Sequence, residues 1–400
     1  MRTLLRCLAA AWVVVCLDAE IRQIDPPAGA QSGMPFLTNG PDGAVYLSWI
    51  DPLNDKQHAL RFARWTGSGW SQPETAAQGL NWFVNWGDFP SLAVLPDGTM
   101  LAHWLTKNQV GGKYGYGIRV ARRDAATRQW NEIHGMSLQE QEDYAGFLTF
   151  VPNQAAAVYL APPADGGHGS HGEQHSHRKT VRFVSFTAAG KLISDKELDA
   201  DACSCCQTAV GKTRGGLIAA YRDHLPGEIR DISVVRFADG AWTQPRVLHP
   251  DGWKINGCPT DGPAMSSADR NVAITWLTRA EDVPKIQVTL STDEGRTFGP
   301  PQGVDGGNPA GRPAITAYGS GYLIVWLEKT SASEAEIRAR RMAPDGTLYP
   351  AFFVATASSG RATGFPKVAV SGDQVLFAWR AERVRAALLT KKEIEEKEKQ

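Results

Sequence analysis

The sequence predicts an all-β fold, a β-propeller of seven four-stranded blades (six is the alternative count) closed by a strand from the N-terminus. Three observations lead there. One unit recurs seven times at a nearly fixed period. Its apolar segments alternate with period two, as half-buried strands do. Composition favours turns and short strands over long helices, with 40 Gly, 24 Pro and 13 Trp in 400 residues.

Each unit opens on Pro or a small residue, runs through an apolar strand and a polar turn, and ends its second strand on an aromatic. The openings are Pro35-Phe36, Pro90-Ser91, Gly146-Phe147, Gln207-Thr208, Pro259-Thr260, Pro313-Ala314 and Pro366-Lys367. The aromatics are Trp49, Trp104, Tyr159, Tyr221, Trp276, Trp326 and Trp379, and they read as core. Their steps are 55, 55, 62, 55, 50 and 53 residues. A fixed period with insertions confined to loops marks a repeat fold. Third strands are expected at 60–65, 118–123, 181–186, 232–237, 286–291, 337–342 and 384–389. Six units continue into a fourth strand, for example 243–248, and the seventh does not. The short alternating segment 20–25 supplies the missing strand and removes two open sheet edges.

The ends read differently. Arg2 and Arg6 precede an apolar run over 7–17 that is too short to span a bilayer. A cleaved signal peptide over 1–19 is expected, with a lipid anchor at Cys16 as the alternative, so the chain is expected to be secreted or periplasmic. No other stretch reads as a membrane span. The propeller occupies 20–389, and 390–400 is a charged, solvated, partly helical tail. With 42 basic and 42 acidic residues, no field is present that would gather nucleic acid or an anionic membrane. The expected partner is a glycan or another small molecule, and the expected state is a monomer.

Strands are lettered A to D from the centre outward. In a propeller the D-to-A and B-to-C loops share one face, and the A-to-B and C-to-D turns share the other. The tight turns Pro41-Asp42-Gly43, Pro96-Asp97-Gly98 and Ser371-Gly372-Asp373 are A-to-B. The long loops are nearly all D-to-A or B-to-C, and function concentrates in long loops on a rigid scaffold.

The C-to-D turn of the fifth unit reads Ser291-Thr292-Asp293-Glu294-Gly295-Arg296-Thr297-Phe298. It resembles the Asp-box, S-x-D-x-G-x-x-W/F, of the sialidase-like or BNR-repeat propellers. The Asp accepts amide hydrogens across the turn, the Gly permits a positive φ and the aromatic fastens the turn to its blade. The resemblance implies a propeller over about 30–390. The family itself implies six blades, three arginines on a substrate carboxylate, a Tyr paired with a Glu as nucleophile and an Asp as acid/base. The early Arg-Ile-Pro motif of that family is absent, and Gly33-Met34-Pro35 stands in its place. The candidate catalytic residues on the loop face are Tyr221, Arg222, Asp223, Glu228, Arg230, Asp231 and Arg312. A mutually satisfied salt-bridge network is the alternative for the charged ones. Trp82, Trp86 and Trp253 fall in D-to-A loops, where indoles either stack on sugars or pack between blades.

The most distinctive stretch holds Cys203, Cys205 and Cys206, followed by His224 and by Gly257-Cys258-Pro259. This Cys-x-Cys-Cys and Gly-Cys-Pro pairing resembles an uncharacterised bacterial secreted subfamily of sialidase-like propellers. In an oxidising compartment the cysteines are expected to form disulfides, and a bridge from the cluster to Cys258 would join adjacent blades. A bond between neighbouring cysteines would be strained, so one or two thiols are left over. The sharper alternative is a Cu or Zn site with Cys203, Cys205, Cys206, Cys258 and His224 as ligands. His168, His171, His175 and His177 lie in a Gly- and Ser-rich insertion on the same face and belong to the same candidate set. Three functions follow. The first is a glycan-directed propeller, with exo-glycosidase activity or recognition only. The second is a metal-binding periplasmic or surface protein. The third is a non-catalytic interaction module.

Overall fold

The computed structural model describes residues 21–108, 115–133, 144–163 and 178–399. The expected signal peptide and the four clustered histidines lie outside them. Seven antiparallel sheets form the ring, one per repeat, which settles the count at seven blades. Their A strands are Gly33–Asn39, Ser91–Val94, Gly146–Phe150, Ala209–Lys212, Ala264–Ala268, Pro309–Tyr318 and Lys367–Ser371. Each B strand ends near its repeat aromatic. Trp49, Tyr159, Trp276 and Trp326 are fully buried there. Truncating such a ring to Ala costs about 3–5 kcal/mol.

The chain ends meet in blade seven. Arg22–Gln23 pairs antiparallel with Val384–Thr390, setting Arg22 opposite Leu388 and Gln23 opposite Ala387. Asp25 locks the register by accepting the Ala386 N–H at 3.1 Å and pairing with Arg383 and Arg385 at 3.2 and 3.0 Å. The closing strand at 20–25 is therefore realised in a two-residue core.

The A-to-B turns carry their expected chemistry. Asp42 and Asp97 accept the Ala44 and Thr99 amides at 3.1 and 2.9 Å, with Gly43 and Gly98 at positive φ. Three details differ from the sequence reading. The fifth A strand starts at Ala264, behind Pro263 rather than Pro259, because 255–263 forms a loop. The fourth D strand is split into Ala241–Trp242 and Arg246–His249. The tail also packs on the ring. Lys391–Lys397 is a helix started by a Thr390–Glu393 capping box, its Ile394 is fully buried, and Glu398 grips Arg341 at 2.5 Å.

Among the described residues no helix is long and apolar enough to cross a membrane.

Candidate functional site

The loop face is built around a roof. After the first D strand, Glu74–Leu80, the chain crosses the channel mouth as residues 81–90. Trp86 stacks on Phe365 of blade seven at 5.9 Å, and the Arg312 and Arg361 guanidiniums lie 4.8 and 5.8 Å from its ring. Gln207 of blade four donates to the Gly87 carbonyl, and a Cβ at Gly87 would meet Thr260. The chemistry-bearing residues thus sit on the rim outside a closed mouth, not around an open one.

Blades are latched to one another beneath this roof. Asp88 accepts the Phe147 N–H at 2.8 Å and the Tyr116 hydroxyl at 2.9 Å. Gln207 accepts the Gly262 N–H at 2.9 Å, and Asp261 accepts the Arg312 N–H at 2.7 Å. Phe147 and Arg312 both hold φ near +60°, a strained setting for a side-chain-bearing residue, kept by these bonds. Burial pushes the Asp88 carboxyl up to about 7 and that of Asp261 up to about 6.

The sulfur centre lies where blades three, four and five meet. The long D strand Leu192–Cys203 delivers Cys203, and the turn after it delivers Cys205 and Cys206. Cys205 is bonded to Cys258 in the loop ahead of blade five, as the bridge from cluster to Cys258 required. Closing a loop of 53 residues this way stabilises by about 2–4 kcal/mol. Cys203 and Cys206 are free, buried and 3.5 Å apart, and Cys203 is 4.0 Å from the Cys205 sulfur. The hydrogen bond from Cys206 holds the Cys203 thiol down to about 7 against burial, helped by the Cys205 amide and by the Arg222 and Arg230 charges. Burial and the same neighbour push Cys206 well above the usual thiol range.

The B-to-C loop of blade four, 223–231, closes over this centre. Of the catalytic candidates in and around it, all but Glu228 are buried. Arg222 donates to the carbonyls of Asp261, Arg230 and Leu277 at 2.6–2.9 Å, with Trp253 beneath its guanidinium at 4.7 Å. Tyr221 is core, its hydroxyl on Asp199. Asp223 binds the Ser233 hydroxyl at 2.5 Å and the His224 amide at 2.7 Å. Burial, with Asp199 and Asp201 adding to it, pushes the Asp223 carboxyl up to about 6. Asp231 accepts the amides of Gly252 and Trp253 at 2.9 and 3.0 Å. Arg312 donates to the Gly360 and Gly364 carbonyls. Glu228 turns instead to His224 and Arg230.

What stays partly exposed is a smaller set. His224 Nδ1 meets Asp201 at 2.8 Å and its Nε2 meets Glu228 at 3.3 Å. Glu228 in turn takes a 2.6 Å bond from Arg230. The Arg230 side chain is completely buried, and its Nε and Nη1 find no acceptor among the described residues. Trp82 and Trp253 pack between blades, at 6% and 4% exposure, so neither offers a face to a sugar. Trp86 alone of the three candidate indoles is half-buried.

Sequence reasoning missed Asp88, Asp199 and Lys367, and it did not use Asp201 or Asp261. A signal existed for some. Asp88 and Asp261 each stand two residues before the proline that opens an A strand, and Gln207 stands in the matching turn. Lys367 is the one charged residue at an A-strand opening.

The Asp-box turn lies on the opposite face, built as expected. Asp293 accepts the Thr297 amide and hydroxyl at 2.9 and 2.7 Å and the Ser291 hydroxyl at 2.7 Å. Gly295, at φ +74°, lies against Ile218 of blade four with no room for a Cβ.

No protein-family model matches the sequence, and no curated protein matches it. Solved structures do match in fold. A protein of unknown function from Dyadobacter fermentans is 14% identical at TM-score 0.51, over 92% of this chain and 98% of that one. A polysaccharide lyase of family PL25, an ulvan lyase, is 12% identical at TM-score 0.52, over 93% and 95%. The intramolecular trans-sialidase from Ruminococcus gnavus is 10% identical at TM-score 0.48, over 90% and 95%. The chain has a propeller fold whose structural neighbours include glycan-acting enzymes.

Proposed function

We propose that the chain is an exported propeller that acts on glycans, with His224 as its acid/base group. One observation carries this reading. On the loop face His224 is hydrogen-bonded between two partly exposed carboxylates, Asp201 and Glu228, while the rest of the candidate set is buried. An imidazole held on both nitrogens is fixed in orientation, as an acid/base group needs to be. The buried Tyr221 cannot serve as a nucleophile, so elimination at an acidic sugar fits this set better than a sialidase-type displacement. A second structure of the ulvan lyase, bound to a GlcA(1-4)Rha3S chain, makes uronate-containing polysaccharides the first substrates to try. A disulfide fits the oxidising compartment that export would reach. The test is a screen of uronate and neutral polysaccharides, read for unsaturated products and for new reducing ends. Turnover lost in both His224→Ala and Glu228→Gln supports the reading. Turnover unchanged in both, or none on any glycan, ends it.

A second reading rests on the sulfur centre. Cys203 and Cys206 can close on one soft cation, and Arg230, buried beside them, would balance a dithiolate. Two free thiols suit Cu(I) better than Zn, which takes four ligands in structural sites. Copper bound one per chain and released by Cys203→Ser supports it. Thiols that react freely in the purified chain, with no metal bound, count against it.

A further inference from the structure

Beneath the roof the A strands enclose a channel of about 350 Å3, at the small end of ligand sites. Its upper end is shut by Gly87, Asp88 and Phe89, and its lining runs down to Asn39, Asn153 and Ser267 beside the A-to-B turns. Access is therefore from the face away from His224. Near the shut end stands Lys367. Its Nζ lies 4.0 Å from the Phe89 ring centroid, 5.3 Å from that of Phe36 and 5.5 Å from that of Phe365. No carboxylate or carbonyl among the described residues takes its hydrogens. The other ionisable group of the lining, Asp88, is committed to the Phe147 amide and the Tyr116 hydroxyl.

An ammonium with three donors, three ring faces beside it and no acceptor among the described residues is under-satisfied. Burial alone pulls the Lys367 amine down to about 7. A charged group at the blind end of a partly apolar channel is the geometry of a ligand anchor, with the counter-charge supplied by the ligand. We propose that the channel binds a small carboxylate with an apolar body, its carboxylate on the Lys367 amine and its body against Phe36, Phe89 and Phe365. The site lies across the ring from the proposed glycan site, so the two stand or fall separately.

The test is calorimetric titration of the purified chain with phenylbutyrate and with phenylbutanol. The acid should bind saturably at one site, and the alcohol about ten- to a hundredfold more weakly, since it lacks the charge-assisted bond. Lys367→Met should erase that difference. No saturable binding of the acid, or equal binding of acid and alcohol, overturns the proposal, as does full acid affinity in Lys367→Met. If that variant does not fold, carbon-13 methylation of the lysines of the unaltered chain decides. The resonance titrating near neutrality should move to higher pH with the acid and stay put with the alcohol. No such movement overturns the proposal.

Discussion

Asp293 and Asp88 are the same residue type on opposite sides of one ring, and their carboxyls are driven in opposite directions. Asp293 sits in a C-to-D turn. Burial raises it, but the amide and hydroxyl of Thr297 and the hydroxyl of Ser291 outweigh that and hold it at about 2. Asp88 sits under the roof, where burial outweighs two hydrogen bonds and raises it to about 7. Asp223 and Asp261 follow Asp88, at about 6. The turn face uses carboxylates as local clasps wetted by solvent. The loop face uses them as cross-blade latches out of water. Desolvation decides between the two roles, not residue identity.

That contrast can be broken at several depths. The largest effect is expected at Arg222→Leu, which leaves three buried carbonyls on three different segments without a donor. It should cost about 3–5 kcal/mol in denaturant unfolding, and a loss below about 1 kcal/mol would deny the loop face its latching role. Next is Cys258→Ser, expected to cost about 2–4 kcal/mol under oxidising conditions. Under strong reductant this variant and the natural chain should melt together. On the turn face, Asp293→Ala removes bonds within one turn and should cost about 1–3 kcal/mol. It should leave the reactivity of Cys203 unchanged, as thiol labelling would show.

The smallest effect is in pH dependence. Asp293 is lowered in the fold, so its contribution is present above the ordinary carboxylate range and is lost as pH falls from about 4 toward 2. Asp88, Asp223 and Asp261 are raised, so the fold holds their protons more tightly than the unfolded chain. Their contribution is greatest at low pH and declines as pH rises from about 4 to 7. Asp88→Asn should lessen the slope of melting temperature across that upper window, with Asp223 and Asp261 keeping the rest, and Asp293→Asn should lessen it only in the lower one. The same slope in the natural chain and in Asp88→Asn would remove Asp88 from this account.

The three candidate indoles show where reading from sequence stops. Trp82 and Trp86 share one D-to-A loop and Trp253 occupies another, and nothing local distinguishes the three. Trp82 stacks on Trp104 within its own seam and Trp253 lies under Arg222, whereas Trp86 is carried across the channel mouth. Only their tertiary partners separate them, Trp104 for Trp82, Phe365 for Trp86 and Arg222 for Trp253. The Cys205–Cys258 bridge was partly legible. Spacing pointed to a bond between the cluster and Cys258, but choosing among three cysteines needed the turn after Cys203.

The sequence by itself determined the propeller repeat, most of the strand positions, the closing N-terminal strand and the face on which loops gather, and it left the blade count between six and seven. Those follow from period-two alternation, repeat spacing and turn chemistry, which act over a few residues and copy themselves around the ring. Tertiary structure alone decided that the channel mouth is roofed, that Arg222 and Asp231 are interior clasps, that His224 stays at the surface and that Lys367 ends a blind channel. Each of these turns on desolvation and partnership between segments tens to hundreds of residues apart, which a linear pattern does not carry.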